Sequence, residues 1–422
     1  MESTEDRGPM VAPDGSASGG AAGAQWSSIT MGSGLALATL LALTINLRPV
    51  ISSVSPLTPD IQSSLDLSKA SIGVITTIPI LCMGVIAPMV PRLAARWGRM
   101  HVVTTALALL TLGTASRLLS ANVPAVLWIS ALIAGIGVAM GAGLAPSFVR
   151  EWFPSRVPSV TGMYSSSMIL GAAIAGAATV PIAHVLDSWP LALAAWALPT
   201  GLALILWLIM TARNERRLPT PVTASAPHER PARLPWRNPV ALALAAYLGC
   251  NGFVFYSVLA WMAPSYNERG WGQAEAGYLM AVCISTQIIG ALFVPKLVSR
   301  FRERRWAYAG SALLSAVGLI VIGVAPGWLP LLWTVLTGIG QGAAFSLGLT
   351  LLSEYGETPQ ASARLTGLGF LVSYLCSAAG PVIMGGFIGA TGSWIGLYVV
   401  LCAVCVGQAV LALPLRRGIR IA

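Results

Sequence analysis

Charge is what this sequence lacks most. Acidic and basic residues together make up 9% of its 422 positions, against roughly 25% in soluble domains, and lysine occurs only at Lys69 and Lys296. A chain with so few charges cannot cover itself with polar surface, which excludes a soluble globular fold. Histidine is equally scarce. His101, His184 and His228 fall at the ends of apolar runs or in a polar break, so the intramembrane cluster of His, Asp or Glu that a membrane-embedded enzyme needs is missing. No Gly-rich loop ending in Lys-Ser or Lys-Thr occurs, which removes ATP-driven pumping by this chain. The protein is therefore not expected to be an enzyme. The six cysteines (Cys82, Cys250, Cys283, Cys376, Cys402, Cys405) all lie in apolar stretches, where they pack as small hydrophobes. Cys402 and Cys405 share a helical face without a His or carboxylate beside them, so no metal, disulfide or other cofactor is expected.

What the chain has in abundance is apolar length, with 55% hydrophobic residues and a mean hydropathy of +0.75. About 20 consecutive apolar residues cross the hydrocarbon core of a bilayer. Such stretches recur at 31–57, 70–90, 102–120, 124–147, 160–184, 190–211, 240–263, 273–295, 306–325, 328–352, 364–388 and 393–414. The expected fold is an all-α membrane protein with twelve transmembrane helices. Residues 1–28, rich in Gly, Ala, Ser and Pro and opening with Glu2, Glu5 and Asp6, read as a disordered tail. The longest polar break, 212–239, carries prolines and arginines and reads as a solvated linker. It divides a six-helix bundle at 29–211 from a second at 240–414, followed by a short tail at 415–422.

The net charge of +10 comes in short clusters between apolar runs, not along one polar face, so nucleic acid is not an expected partner. With both termini cytoplasmic, twenty-one of the basic residues fall on the inner side, while only Lys69, Arg117 and Arg269 fall on the outer. That asymmetry orients the chain. The predominance of Arg over Lys, with abundant Ala, Gly and Pro, hints at a GC-rich bacterial genome, and the expected location is the cytoplasmic (inner) membrane.

The two halves repeat. Pro91, Leu93 and Arg96 after the second run return as Pro295, Leu297 and Arg300 after the eighth, at an offset of 204. Asn46 and Pro59 correspond to Asn251 and Pro264, Gly135 and Gly137 to Gly338 and Gly340, and Thr161-Gly162 to Thr366-Gly367. Matches in equivalent spans mark an internal duplication.

The segment Pro91-Arg-Leu-Ala-Ala-Arg-Trp-Gly-Arg99 resembles the loop signature of the major facilitator superfamily between spans two and three. Leu93, Ala94, Arg96, Gly98 and Arg99 match that pattern. Pro91 and Ala95 stand where the family has a glycine and an acid, so the charge relay of the loop is incomplete. Two further stretches, Asn46 to Ile61 and Thr161 to Met168, resemble the cyanate and nitroimidazole permease subgroup of that superfamily. The resemblance covers the chain after residue 30. It implies a monomeric transporter that alternates access around a site at the bilayer midplane.

Arg48 is the one cation read as lying within a span core, where burial costs about 2.5–3.5 kcal/mol on insertion scales. Two roles are open to it: a forked donor for an anionic or electron-rich substrate, or a side chain that snorkels outward or ties carbonyls loosened by Pro49. Asn46 and Asn251 fall on spans that line the central cavity in this fold, where an amide binds substrate or joins helices. Tyr164 with Ser165–Ser167, Phe255, Tyr256, Gln287, Gln341 and Phe345 are further candidates for the few polar and aromatic groups of a substrate site. The loop residues Arg96, Gly98 and Arg99 are the gating candidates, and Gly135, Gly137, Gly141 and Gly143 form a small-residue stripe for close helix contact. Since the span cores hold no Asp or Glu, proton-driven export of cations is disfavoured. The expected function is secondary or facilitative transport of a small anion or small polar, cyanate-like solute. Efflux of drug-like molecules on the same fold is the alternative.

Overall fold

The computed structural model describes residues 33–215, 234–298, 303–415 and 421. The tail at 1–28 and most of the 212–239 linker and the 415–422 tail lie outside the described residues. Twelve helices are long and apolar enough to cross a membrane: Gly34–Leu65, Lys69–Trp97, Arg99–Leu119, Val126–Trp152, Pro154–Leu186, Trp189–Arg213, Pro239–Asn267, Gln273–Val298, Arg305–Val324, Pro330–Leu352, Arg364–Thr391 and Trp394–Ala412. They are numbered below as the first to twelfth spans.

Helix is the only answer that a lone apolar segment can give in hydrocarbon, because every backbone group must be satisfied within it. The ends carry their own signals. Ser68, Ser188, Thr358 and Ser393 each accept a hydrogen bond from the backbone N–H three residues on, and Asn238 accepts from Val240 and Ala241. The first span was expected to stop near residue 57 but reaches Leu65. Its last segment, Thr58–Leu65, carries Asp60, Gln62 and two serines, so hydropathy falls while the helix continues.

The duplicated glycines do the same work twice. A Cβ built on Gly135 would lie 2.7 Å from Pro79 Cα of the second span, and one on Gly137 2.5 Å from Ala106 O of the third. In the other half, Gly338 meets Cys283 O of the eighth span at 2.2 Å and Gly340 meets Ser311 O of the ninth at 2.7 Å. The fourth and tenth spans are thus pressed between two neighbours each, with no room for a side chain.

The halves meet on the arginine-poor face. Ser55 Oγ donates to Ala260 O at 2.8 Å, Gln273 Nε2 to Asp60 Oδ2 at 3.1 Å and Thr77 Oγ1 to Ala378 O at 2.8 Å. Lys69 Nζ pairs with Glu268 Oε1 at 2.7 Å and lies 4.6 Å from the centre of the Trp394 ring. The contact continues inward: a Cβ on Gly73 would be 2.6 Å from Pro381 O, and one on Gly84 would be 3.2 Å from Tyr374 Cβ. At 1.5 Å per residue, Gly84 lies about 22 Å along the second span from Lys69. On the arginine-rich face the described ion pairs stay within a half, Arg99 with Glu151 and Arg304 with Glu354.

Candidate functional site

The site begins with a break in the first span. Helix runs from Ser33 to Ile45, resumes for Pro49–Ser52, passes through a 3-10 turn at Ser55–Leu57 and continues from Thr58. Pro49, Pro56 and Pro59 each lack an N–H to hold the helical ladder. Arg48 sits at the first break, just ahead of Pro49.

The Arg48 guanidinium carbon lies 5.3 Å from the centre of the Phe255 ring and 5.5 Å from that of Tyr256, both on the seventh span. Those two rings meet edge to face, with centroids 4.8 Å apart. An arginine over aromatic faces gains a cation–π attraction of about 0.5–2 kcal/mol. Tyr374 of the eleventh span is within electrostatic reach of Arg48, Tyr256 and Tyr164, and it stacks on Phe370 at 6.0 Å. Arg48 is thus brought onto Phe255 and Tyr256 by spans one and seven. Arg48 Nε is buried and has no hydrogen-bond acceptor among the described residues, and none of the described ion pairs involves Arg48. Such an N–H can donate to a ligand oxygen or nitrogen.

The other predicted residues are placed differently. Asn46 is 4% exposed, and its Nδ2 donates to Ala42 O at 2.7 Å and to Pro199 O of the sixth span at 3.3 Å. Asn251 Nδ2 donates to Gln341 Oε1 at 3.0 Å and to Gln341 O at 3.3 Å. Both amides thus donate within the protein, Asn46 to its own helix and the sixth span and Asn251 to the tenth span. Gln341 retains a buried Nε2 without a partner among the described residues. Gln287 is half-buried and its carbonyl packs against Gly342; no described contact joins its amide to Arg48. Phe345 is exposed. Ser167 Oγ and Thr44 Oγ1 share a hydrogen bond of 2.6 Å that joins the fifth span to the first.

Arg117 was missed. Counted from the sequence as an outer-side cation, it is 0% exposed and reaches in from the third span. Nη2 donates to Val50 O at 2.9 Å, Nε to Ser130 Oγ at 3.3 Å and Nη1 to Ser53 Oγ at 3.5 Å. Arg48 is therefore not the only cation in the membrane-spanning interior, and the carbonyl-tying role once open to Arg48 belongs to Arg117. Hydropathy could not show this, since Arg117 ends its apolar run and its direction is set by packing.

In the loop between spans two and three, Gly98 adopts a φ of +83° that favours glycine and ends one helix as the next begins. Arg96 is exposed. Arg99 bonds Glu151 at the end of the fourth span, so an acid from another span stands in where the loop itself has Ala95. Arg304 with Glu354, at 2.7 Å, is the same arrangement in the second half.

The chain matches the Major Facilitator Superfamily over residues 34–381 and again over 265–420. It belongs to that superfamily. Among relatives, it is 31% identical over 358 residues to the 2-nitroimidazole transporter of Escherichia coli (strain K12), covering 85% of this chain and 89% of that one. It is 30% identical over 348 residues to the cyanate transport protein CynX of the same strain, covering 80% and 87%. The superfamily fold is shared with a D-xylose-proton symporter at a TM-score of 0.69 and 15% identity, over 94% of this chain and all of that one. The protein is thus a multi-pass membrane transporter of small solutes.

Proposed function

We propose that the protein carries a small anion or small polar organic solute, cyanate-like in size, across the cytoplasmic membrane by alternating access, with Arg48 as the residue that recognises it. The observation that carries this reading is a guanidinium that lies over two adjacent aromatic rings with no ion-pair partner among the described residues, its buried Nε lacking an acceptor there. An anionic substrate supplies both the acceptor and the countercharge. Tyr164, Tyr256 and the free Nε2 of Gln341 are the further contacts in this reading. Two relatives whose names give cyanate and 2-nitroimidazole as cargo support a compact substrate.

The arginine-rich face is the cytoplasmic one by the positive-inside rule, which places both termini in the cytoplasm. The cross-half contacts that run from Lys69 to Gly84 then start on the outer side. Arg99 with Glu151 and Arg304 with Glu354 brace each half internally, and the turn at Gly98 lets the loop follow its own bundle as it rocks. The unit of transport is the monomer, since each chain carries both halves.

A second reading, efflux of drug-like molecules, draws on the aromatic walls of Phe255, Tyr256, Phe370 and Tyr374. Uptake of labelled cyanate and 2-nitroimidazole into proteoliposomes separates the two. Saturable cyanate flux that Arg48→Ala removes and Arg48→Lys retains in part supports the anion reading. Wild-type flux in the alanine protein would contradict it and leave neutral or drug-like solutes.

A further inference from the structure

The first span is broken where its repeat counterpart is not: the seventh span runs unbroken from Pro239 to Asn267. Within the break, Val54 N–H bonds to Ile51 O, three residues back, at 3.4 Å. Val50 O, four residues back, is thereby left without its helical partner in a buried apolar setting, where an unpaired carbonyl is costly. Arg117 Nη2 supplies that partner at 2.9 Å. Its other donors hold Ser53 on the same break and Ser130 on the fourth span. At the repeat offset of 205 residues Arg117 corresponds to Ile322, so the half with the continuous span has an apolar residue where the half with the break has a cation.

We infer that Arg117 is a positioning residue for the substrate site: by clamping Val50 O and Ser53 it fixes the break in the first span, and so the direction in which Arg48, two residues before Val50, comes to lie over Phe255 and Tyr256. Arg117 does not touch the substrate. The inference rests on the proposed role of Arg48. A planar fork can serve acceptors on two spans at once, which the compact ammonium of lysine cannot reproduce. Arg117 is also without a carboxylate partner among the described ion pairs, so its charge is held by carbonyl and hydroxyl dipoles alone.

The test uses the full-length protein in proteoliposomes, with Arg117→Met, Arg117→Lys and Arg48→Ala. Two readouts are taken: amide hydrogen exchange of peptides covering residues 50–58, and KM and Vmax for whichever of labelled cyanate and 2-nitroimidazole the wild type takes up. Arg117→Met is expected to speed exchange at 50–58 by about tenfold, with the seventh span unchanged. It is expected to raise KM by about tenfold, equivalent to 1.4 kcal/mol, while Vmax stays within about threefold. Arg117→Lys, which keeps the charge, is expected to move both readouts in the same direction by a smaller factor. Unchanged exchange in both variants overturns the inference, as does faster exchange with an unchanged KM. If Arg48→Ala leaves uptake intact, the functional reading fails and the inference falls with it. If Arg48→Ala abolishes uptake while the Arg117 variants keep the wild-type KM, the inference alone fails.

Discussion

Asn251 and Gln341 face each other between the seventh and tenth spans, with the Asn251 amide bonded at once to the Gln341 side chain at 3.0 Å and to its carbonyl at 3.3 Å. Both are nearly fully buried, so loss of one partner leaves the other without its bond. Asn251→Leu is expected to destabilise the protein by about 1–3 kcal/mol, the cost of an orphaned buried polar group. Thermal unfolding in detergent checks this. A KM that rises while the unfolding temperature stays at the wild-type value would instead give Asn251 to the substrate.

The glycine pairs set a steric limit. A Cβ on Gly137 would sit 2.5 Å from Ala106 O, whereas one on Gly407 of the twelfth span meets nothing within 4 Å. Gly137→Val is therefore expected to cost about 1–3 kcal/mol or more through overpacking, and Gly407→Ala to leave stability within about 0.5 kcal/mol of wild type. Parallel unfolding curves of the two variants are the measurement.

Closure on the arginine-poor face predicts a lock. Lys69 and Glu268, ion-paired across the halves, give a cross-half cysteine pair in Lys69→Cys/Glu268→Cys. Bridging them with a short thiol cross-linker is expected to stop uptake, and a cleavable linker to restore it on reduction. Undiminished uptake in the cross-linked protein would mean that the halves need not part there.

The ion pairs on the opposite face are partly exposed, with side chains 47% and 39% accessible for Arg99 and Glu151. Exposed pairs contribute about 0–1 kcal/mol. Arg99→Gln is expected to shift stability by less than about 1 kcal/mol, Arg304→Gln, at a side chain only 14% accessible, by about 1–3 kcal/mol, and the double variant by their sum, because the pairs lie in different halves. A strongly non-additive double variant, seen in the same unfolding assay, would show that the two pairs communicate.

The twelve spans were legible in the sequence because apolar length is a property of consecutive residues. The duplication was legible for the same reason, and Gly135, Gly137, Gly338 and Gly340 turned out to serve identical contacts. Side-chain direction was not. Asn46 and Asn251 read equally well as ligands or as helix ties, and which neighbours their amides meet depends on how the helices are placed. Arg117, at the end of an apolar run, looked like an interfacial residue because nothing in a linear pattern says that the break beyond Pro49 leaves a carbonyl bare beside it. The pairing of Arg99 with Glu151 was written in the repeat, since Arg304 and Glu354 recur at offsets of 205 and 203, a match between charges that hydropathy passes over. Phe370 and Tyr374 carried no such signal.

In the proposed transport cycle Arg48 is the group that recognises the solute. Equilibrium binding of labelled cyanate and 2-nitroimidazole to the purified wild-type protein, Arg48→Lys and Arg48→Ala tests it most directly. Removing one partner of a buried, hydrogen-bonded charge pair costs about 2–5 kcal/mol, so Arg48→Ala is predicted to weaken binding by at least about 30-fold, with Arg48→Lys in between and all three proteins unfolding at similar temperatures. Equal affinity in the wild-type and alanine proteins would contradict the claim.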